Sequence, residues 1–264
     1  MSQKAHADWD PGLYHRFRGL RLRPAMDLLR GIGPLPAGDV VDLGCGSGAA
    51  GPALRQLGRP LHGIDLSDAM LEKARAGGCY DRLDRADIST WAPQTPSALI
   101  FSNAALHWVG GHGSLIPRLA GHLAPGGTLA VQVPHQNNAP SHRLWLTLAE
   151  ELFPGRVDPE TLPQAMLPAE YHRMLRGLGH VSLWETEYYQ ELDPEGSGHP
   201  VRHFTEATFA RPVLAALDET EQARLVRAYE SVIGSAYPAS ESGRVLFPFR
   251  RLFFILTVGA GSAN

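Results

Sequence analysis

One segment of this chain constrains its fold more than any other. Residues 40–48 read Val-Val-Asp-Leu-Gly-Cys-Gly-Ser-Gly, an apolar run with an acid near its end and then alternating glycines, and a helical pattern begins at Ala49. Glycine suits a sharp turn where a ligand contacts the backbone, because a Cβ would occupy the volume of the ligand. An ordinary strand-to-helix turn needs only one glycine. The segment therefore predicts a ligand-binding turn at the carboxyl end of a parallel strand.

Short apolar runs alternate with amphipathic stretches from Val40 onward, which is the pattern of βαβ units in a parallel sheet. The five expected strands are Val40–Leu43, Pro60–Ile64, Arg82–Ala86, Ala98–Ser102 and Thr128–Val133. The expected helices between them are Ala49–Leu57, Asp68–Ala76 and Ser114–Leu123. Glycine or proline follows each helix as a stop signal. The pattern predicts a doubly wound sheet with helices on both faces.

The pattern changes after about Pro134. Longer helices are expected at Ser141–Leu152, Pro168–Leu178 and Thr220–Ile233, with a loop at Asp193–Pro200. Two further strands are expected to rejoin the sheet as an edge hairpin, Val181–Tyr189 and Arg250–Val258.

These elements predict one α/β domain over residues 1–264. Its sheet is expected to be doubly wound, Rossmann-like, mostly parallel and seven-stranded, with helical additions at the N-terminus and after strand five. The expected parts are an N-terminal helical lid at 1–32, a cofactor-binding core at 39–134, and helical additions on the substrate side at 141–178 and 195–238.

Composition excludes several classes of protein. Lys and Arg number 24 against 27 Asp and Glu, a formal net charge of −3, so no basic field is available to hold a nucleic acid backbone. Cys45 and Cys79 lack the spacing of a metal site, and their small number fits a reducing compartment. No apolar run approaches the roughly 18 residues of a membrane span. We expect a cytoplasmic protein with no metal site, no nucleic acid partner and no membrane association.

The glycine pattern admits two kinds of cofactor. Gly46-x-Gly48-x-x-Gly51 satisfies the dinucleotide fingerprint, and Asp65 lies near the spacing expected of a ribose-binding acid. However, the glycines begin earlier, at Gly44, directly behind Asp42. A carboxylate there would repel a pyrophosphate, whereas it would attract the ammonium group of an amino acid. The pattern therefore favours S-adenosylmethionine over NAD.

Acids also follow the next two expected strands. Asp65 can accept both hydrogen bonds of a ribose diol, because Ser67 or Asp68 is available to cap the following helix. Asp87 could bind the adenine amino group and Ile88 could pack on the ring, although a turn cap explains Asp87 nearly as well. Met70 is expected above the cofactor, with packing in the core as an equal alternative.

Four motifs together resemble the class I S-adenosylmethionine-dependent methyltransferases. They are the glycine segment at 42–48, Gly-Ile-Asp-Leu-Ser at 63–67 with Met70-Leu71 behind it, Ala-Asp-Ile at 86–88, and Ser-Asn-Ala-Ala-Leu-His-Trp at 102–108. The resemblance implies S-adenosylmethionine as the cofactor, with Asn103 at its methionine end. The implied cofactor-binding residues are Asp42, Gly44, Gly46, Asp65, Leu66, Met70, Asp87, Ile88 and Asn103.

The chain as a whole further resembles the trans-aconitate methyltransferase branch of that family. The matching segments include Trp9-Asp10-Pro11, Val131-Gln132-Val133-Pro134, Arg211-Pro212, and Phe249-Arg250-Arg251-Leu252-Phe253. This resemblance implies transfer of a methyl group to a small polycarboxylate, giving a monomethyl ester. No catalytic side chain is expected, since a carboxylate with a pKa of roughly 4 is already ionised at neutral pH and needs no general base.

Arginines and aromatic residues are the expected substrate contacts. A guanidinium binds a carboxylate through two hydrogen bonds, and aromatic rings could close the pocket. The implied substrate-binding residues are Trp9, Tyr14, Arg21, His107, Trp108, Arg211 and Arg250. An ordinary alternative exists for the arginines and for His107: an arginine could be a solvated surface charge, as Arg211 would be if it paired with Glu206, and His107 could simply pack beside a tryptophan.

The chain departs from the branch where the substrate should bind, and two other functions stay open. His135 stands where the branch has an acidic residue, and Ala207 stands where it has glycine. A relative could methylate another acceptor, such as a malonyl thioester, or a small hydroxyl compound with His107 or His135 as base. A non-catalytic S-adenosylmethionine-binding module is the alternative from a different class.

Overall fold

A computed structural model describes residues 18–163 and 165–259, without the side chains of residues 18–21 and Glu160. The strands are β1 (Val40–Leu43), β2 (Leu61–Asp65), β3 (Arg82–Arg85), β4 (Ser97–Asn103), β5 (Leu123–Pro134), β6 (Gly179–Leu192) and β7 (Val245–Val258). The α-helices are α1 (Arg18–Arg30), α2 (Gly51–Arg55), α3 (Asp68–Ala76), α4 (His112–Ala120), α5 (Pro140–Leu152), α6 (Pro168–Leu175), α7 (Pro200–Glu206), α8 (Arg211–Ala215) and α9 (Glu219–Ala236). Two 3₁₀ turns lie at Leu106–Trp108 and Pro159–Thr161.

The strands form one seven-stranded sheet in the order β3-β2-β1-β4-β5-β7-β6. The pairs β1–β2, β2–β3, β1–β4 and β4–β5 are parallel. Strands β1, β2 and β3 run outward in one direction and β4 and β5 in the other, so the order reverses between β1 and β4, and β7 lies between β5 and the edge strand β6. Open α/β sheets bind ligands at such a switch point, at the carboxyl ends of the strands. The predicted Rossmann-like, mostly parallel sheet of seven strands is confirmed.

The strand residues explain why the centre of this sheet is buried. Every residue of β1 is buried, and so are the first six of the seven residues of β4. Runs of Val, Leu, Ile and Phe suit strands that helices cover on both faces. Helix α3 begins at a conventional cap, where the Ser67 hydroxyl accepts a hydrogen bond from the Met70 amide at 3.4 Å.

The predicted elements are present, with some shifted ends. The helix predicted at Ala49–Leu57 is shorter, Gly51–Arg55, because the glycine turn continues through Ala50. Strand β7 begins five residues before the predicted Arg250, and β6 extends the predicted Val181–Tyr189 at both ends. Sequence analysis missed α7 and α8, two short helices that each begin near a proline.

Residue contacts divide the chain into two compact units. The described parts of the first unit are residues 18–133, 166–184 and 252–259, and those of the second are 134–163, 165 and 185–251. The first unit contains β1 to β4 and most of β5. The second contains α5 and α7 to α9. The predicted division into lid, core and additions stays a prediction.

Buried aromatic side chains hold the second unit together. The rings of Trp145 and Tyr229 stack with centroids 4.0 Å apart, and both side chains are fully buried. Their polar atoms are satisfied, since Trp145 Nε1 donates to Thr205 Oγ1 at 2.9 Å and the Tyr229 hydroxyl donates to the Ser141 carbonyl at 3.0 Å. These bonds join α5, α7 and α9 into one core.

Candidate cofactor site

The candidate site lies in the first unit, at the carboxyl ends of β1, β2 and β4. Asp42 is in register with Gly63 of β2 and with Phe101 of β4. The Ser102 hydroxyl donates to the Leu43 carbonyl at 2.8 Å and ties the ends of β4 and β1 together. The strand ends at the switch point are therefore held in one fixed arrangement.

The glycine turn requires backbone conformations that other residues avoid. Gly44, Gly46 and Gly48 have φ angles of +78°, +53° and +80°. A Cβ at Gly44 would overlap the Ala105 side chain, whereas a Cβ at Gly46 would meet no atom within 4 Å. The open space of this turn therefore lies over Gly46, and Gly44 serves close packing against the segment after β4.

Tyr80 occupies the space beside the other glycines. A Cβ at Gly48, Gly51 or Gly63 would lie 3.0, 2.9 or 2.9 Å from the nearest atom of the Tyr80 ring. The sequence Gly46-x-Gly48-x-x-Gly51 looks like a dinucleotide fingerprint, but here Gly48 and Gly51 make room for a side chain of the protein itself. Tyr80 was not predicted from the sequence, because nothing in the glycine spacing shows which group fills the space.

Asp42 is a buried carboxyl group, 2% exposed. Its Oδ2 accepts a hydrogen bond of 2.7 Å from the Tyr80 hydroxyl. Burial raises the pKa of Asp42 to about 7, the hydrogen bond from Tyr80 opposes this rise, and the negative charge of Asp65 adds to it. The ionisation of this carboxyl group is thus balanced near neutral pH.

Asp65 turns toward the glycine turn at the end of β2. Its Oδ2 accepts a 2.8 Å hydrogen bond from the Gly46 amide, and its Oδ1 accepts one of 3.0 Å from the Ser67 amide. The structure therefore brings Asp65 and the open space at Gly46 together. Leu66 is 37% exposed next to Asp65, while Met70 is buried.

Arg118 of α4 holds the segment that follows β3. Its guanidinium donates to the carbonyls of Ile88 at 2.7 Å and Ser89 at 2.9 Å, and also to the Trp91 carbonyl. Ile88 lies close to the glycine turn, with its Cδ1 3.4 Å from the position of a Cβ on Gly44. Asp87 is exposed and its Oδ1 accepts a hydrogen bond from the Ser89 amide at 2.8 Å. Arg118 is a second residue that sequence analysis missed.

The end of β4 has an unsatisfied polar atom on its last residue, Asn103, and backbone strain at the next residue, Ala104. Ala104 has φ +54° and is the one non-glycine residue with positive φ in the described part of the chain. Asn103 Oδ1 is buried and accepts no hydrogen bond from the described residues. Strain of this kind persists at sites where the surrounding structure enforces it. Both features suit a binding edge beside Gly44, where an additional donor could reach Asn103.

His112 supports the 3₁₀ turn that contains His107 and Trp108. It is buried, with Nε2 2.8 Å from the Leu106 carbonyl and Nδ1 2.5 Å from the Tyr171 hydroxyl. A carbonyl only accepts, so Nε2 carries the proton and Nδ1 accepts from Tyr171. The turn presents Trp108, 39% exposed, with its ring 5.0 Å from that of His107.

The predicted substrate contacts are described only in part. Trp9, Tyr14 and the side chain of Arg21 lie outside the described residues. In the second unit, Arg211 is the partly exposed first residue of α8, and Arg250 lies in β7 with its guanidinium 3.6 Å from Glu187. Glu206, the alternative partner suggested for Arg211, pairs with Arg202 at 2.7 Å.

His135 of the second unit pairs with an acidic residue. Its Nδ1 pairs with the Glu185 carboxylate, and its amide donates to the Arg250 carbonyl at 3.0 Å. The described residues contain no group of three or more His, Cys, Asp or Glu that could hold a metal ion. No helix of that part of the chain is long and apolar enough to cross a membrane.

Comparison with known proteins identifies the class to which this fold and site belong. A family profile described as a methyltransferase domain matches residues 14–188. The solved structure of the YcgJ protein from Bacillus subtilis has the same fold, with a TM-score of 0.56, 14% identity, and coverage of 94% of this chain and 100% of that one. This chain belongs to the methyltransferase family, and its cofactor is S-adenosylmethionine.

Named relatives match along almost their whole length. Trans-aconitate 2-methyltransferase from Rhizobium meliloti is 40% identical, with 94% of this chain and 98% of the relative covered. The enzymes of the same name from Paracidovorax citrulli and Pseudomonas aeruginosa are 39% and 35% identical, with 94% and 96% of this chain and 97% and 95% of the relatives covered. The chain is an enzyme of the methyltransferase family, similar to these proteins.

Proposed function

We propose that this chain transfers the methyl group of S-adenosylmethionine to a carboxylate oxygen of a small polycarboxylate such as trans-aconitate, giving a monomethyl ester. The observation that carries the proposal is the 40% identity to a trans-aconitate 2-methyltransferase over 98% of its length. The site of the first unit supports the cofactor half of the reaction, and the arginines of the second unit supply charges of the sign that a polycarboxylate requires.

We assign the cofactor-binding roles along the strand ends. The Asp42 carboxylate and the unsatisfied Asn103 Oδ1 suit the ammonium of the methionine end. Asp65 suits the ribose diol next to the open space at Gly46, because a carboxylate keeps acceptor capacity beyond its two backbone hydrogen bonds.

The adenine end is assigned to the segments after β2 and β3. Leu66 offers an exposed apolar surface and Ile88 packs beside the glycine turn. Asp87, which is exposed, is proposed to accept from the adenine amino group. Met70 is buried, and we propose that it packs against the cofactor from the core side.

The reaction needs alignment more than acid–base chemistry. When bound, S-adenosylmethionine supplies a methyl group on a positively charged sulfur. The acceptor carboxylate is ionised at neutral pH, so its oxygen forms the new O–CH₃ bond while the S–CH₃ bond breaks, and no proton moves. The protein contributes by holding the acceptor oxygen, the methyl carbon and the sulfur in line and by excluding water.

Arginines are proposed to orient the non-reacting carboxylates. Arg211 and Arg250 can each form two hydrogen bonds to a carboxylate, and Arg21 is proposed for the same role on its position in the sequence. Trp9, Tyr14, His107 and Trp108 are proposed to surround the acceptor. Binding energy from these remote contacts would be used to position the reacting oxygen.

A hydroxyl acceptor is the second candidate, because the Glu185 carboxylate pairs with Nδ1 of His135. Such a carboxylate orients an imidazole and stabilises its protonated form, as a general base requires. In that case His135→Gln should abolish transfer at saturating concentrations of both ligands, whereas transfer to a carboxylate needs no base and should continue.

The test uses the purified chain with methyl-labelled S-adenosylmethionine. The acceptors are trans-aconitate, citrate, a monocarboxylate of similar size and a small hydroxyl compound, and mass spectrometry together with alkaline release of methanol identifies an ester. We expect the two polycarboxylates to be methylated, and the monocarboxylate and the hydroxyl compound to remain unmethylated. Arg211→Lys should raise KM for the acceptor and leave cofactor affinity unchanged, with exposed Arg227→Lys as the control. Methylation of the hydroxyl compound alone would contradict the proposal.

A further inference from the structure

Tyr80 contacts both the glycine turn and Asp42, although it belongs to none of the sequence motifs of the candidate site. It occupies the turn between α3 and β3, and its ring fills the space that side chains at Gly48, Gly51 and Gly63 would need. Gly48 belongs to the turn that follows β1, Gly51 is the first residue of α2, and Gly63 belongs to β2. The ring therefore packs against the glycine turn and the neighbouring strand together, so it limits the positions that the turn can adopt.

The Tyr80 hydroxyl is directed at a single buried acceptor. It donates a 2.7 Å hydrogen bond to Asp42 Oδ2, and Asp42 is almost completely buried. A buried carboxylate without a donor is costly, because it loses its hydration and gains nothing in exchange. The ring of Tyr80 thus contacts the glycine turn, and its hydroxyl binds the Asp42 carboxyl group of β1.

We propose that Tyr80 is a positioning residue of the methyltransferase, which keeps the Asp42 carboxylate oriented and ionised for the ammonium group of S-adenosylmethionine while its ring shapes the glycine turn. The proposal rests on the proposed role of Asp42 at the methionine end of the cofactor. It assigns to Tyr80 no contact with the cofactor and no part in the transfer of the methyl group.

The charged and titratable neighbours of Asp42 make its ionisation sensitive to Tyr80. Asp65 of β2 adds a negative charge, and the Cys45 thiol of the glycine turn stays protonated because burial and the two carboxylates raise its pKa well above the usual range. Burial and the adjacent Asp42 also raise the pKa of the Tyr80 phenol far above its usual value, so Tyr80 remains a donor. Among these groups only the Tyr80 hydrogen bond favours the ionised form of Asp42.

The direction of the pH effect follows from this balance. Only the ionised carboxylate attracts an ammonium group, so cofactor affinity should rise as pH increases through the pKa of Asp42, which burial raises to about 7. Loss of the Tyr80 hydroxyl should raise that pKa further. The ratio of the variant's affinity to that of the wild type should therefore be lowest at the acidic end of the pH range and approach 1 as pH rises.

The test is Tyr80→Phe, which keeps the ring and removes one oxygen. Calorimetry measures binding of S-adenosylmethionine and S-adenosylhomocysteine to both proteins between pH 6 and 8.5. Titration of the ligand itself cancels in the ratio of the two dissociation constants at each pH. We expect an affinity loss of about tenfold or more at pH 7 that shrinks as pH rises. Tyr189→Phe, which changes an exposed tyrosine of the second unit, should match the wild type.

A double-mutant cycle separates positioning from simple packing. Asp42→Asn removes the charge, so adding Tyr80→Phe to it should change affinity little if Tyr80 acts through Asp42. Equal losses in both backgrounds and at every pH would overturn the proposal, as would unchanged binding by Tyr80→Phe. Near-ultraviolet circular dichroism checks that each variant is folded.

Binding also distinguishes this proposal from the proposed function. If the wild type binds the cofactor but methylates no polycarboxylate, the acceptor assignment fails while the role of Tyr80 is still measured. If the cycle shows no coupling in a chain that methylates trans-aconitate, the role of Tyr80 fails alone.

Discussion

The buried polar groups at the strand ends of the first unit have different neighbours from those in the helical core of the second unit. In the first unit, the buried Asp42 carboxyl group and the Asn103 amide oxygen lie at strand ends beside an open glycine turn. In the second unit, buried polar atoms such as Trp145 Nε1 and the Tyr229 hydroxyl bond to neighbouring helices within the core. We propose that Asp42 and Asn103 of the first unit serve a ligand, whereas Trp145 and Tyr229 of the second unit join its helices.

The strongest test of this comparison replaces two glycines of the same turn with alanine, one in each variant. Gly44→Ala would place a Cβ against Ala105 at φ +78°, so it should destabilise the protein by about 3 kcal/mol or more. Gly46→Ala at φ +53° meets no protein atom and should cost only about 1–2 kcal/mol. Cofactor affinity should nevertheless fall at least tenfold in Gly46→Ala. Urea unfolding and calorimetry measure the two quantities, and normal cofactor binding by folded Gly46→Ala would show that the space at Gly46 is not the cofactor's.

A smaller effect is expected where the first unit positions a segment through a charged side chain. Arg118→Met removes the donors to the carbonyls of Ile88, Ser89 and Trp91. The segment that carries Asp87 and Ile88 should loosen, and the dissociation constant of S-adenosylmethionine should rise about tenfold, equivalent to about 1.4 kcal/mol. The KM for the acceptor should stay the same. The matched control is Arg75→Met, an exposed arginine of α3, and an equal effect in both variants would contradict the role of Arg118.

The smallest effect tests the second unit through its buried histidine. His142 packs against Phe209 at 4.4 Å between ring centroids, and burial lowers its pKa from 6.5 to about 3. Between these pH values the unfolded chain binds a proton that the folded chain does not. Protonation of His142 in the unfolded chain should therefore lower the free energy of unfolding as pH falls from 6.5, by at most about 1.4 kcal/mol per pH unit.

The measurement compares the wild type with His142→Gln in urea at pH 7, 6.5 and 6, a range over which the difference stays below about 1 kcal/mol. Contributions of Asp42 and other groups are common to both proteins and cancel in the difference. The wild type should lose stability relative to the variant as pH falls. Parallel curves would mean that His142 takes up its proton without unfolding.

Much of the first unit could be predicted from the sequence. The strand Val40–Leu43 and the helix Asp68–Ala76 have the predicted bounds, because apolar runs, a capping serine and glycine stops are local signals. The same local patterns located Asp42, Asp65 and Gly46. Strand ends meet at one edge of a parallel sheet, so the grouping of these residues followed from the fold class.

The second unit was harder to predict. Two short helices, α7 and α8, were missed because their few residues carry too little periodicity, and their positions depend on contacts such as Trp145 with Thr205 across the unit. The pairing of His135 with Glu185 joins residues 50 positions apart. No pattern within a window of residues could indicate that partner.

Local patterns in the amino-acid sequence were sufficient to predict the strands, the longer helices between them, the glycine turn and the acids at the strand ends, since each depends on neighbours along the chain. The tertiary structure alone decided which glycine is open and which are filled, because Tyr80 reaches Gly48, Gly51 and Gly63 from a distant turn. It likewise decided that Asp42 is buried with a tyrosine as its donor, and that Arg118 holds the segment after β3. Packing and burial depend on residues far apart in the sequence, and these set the shape and the charge of the site.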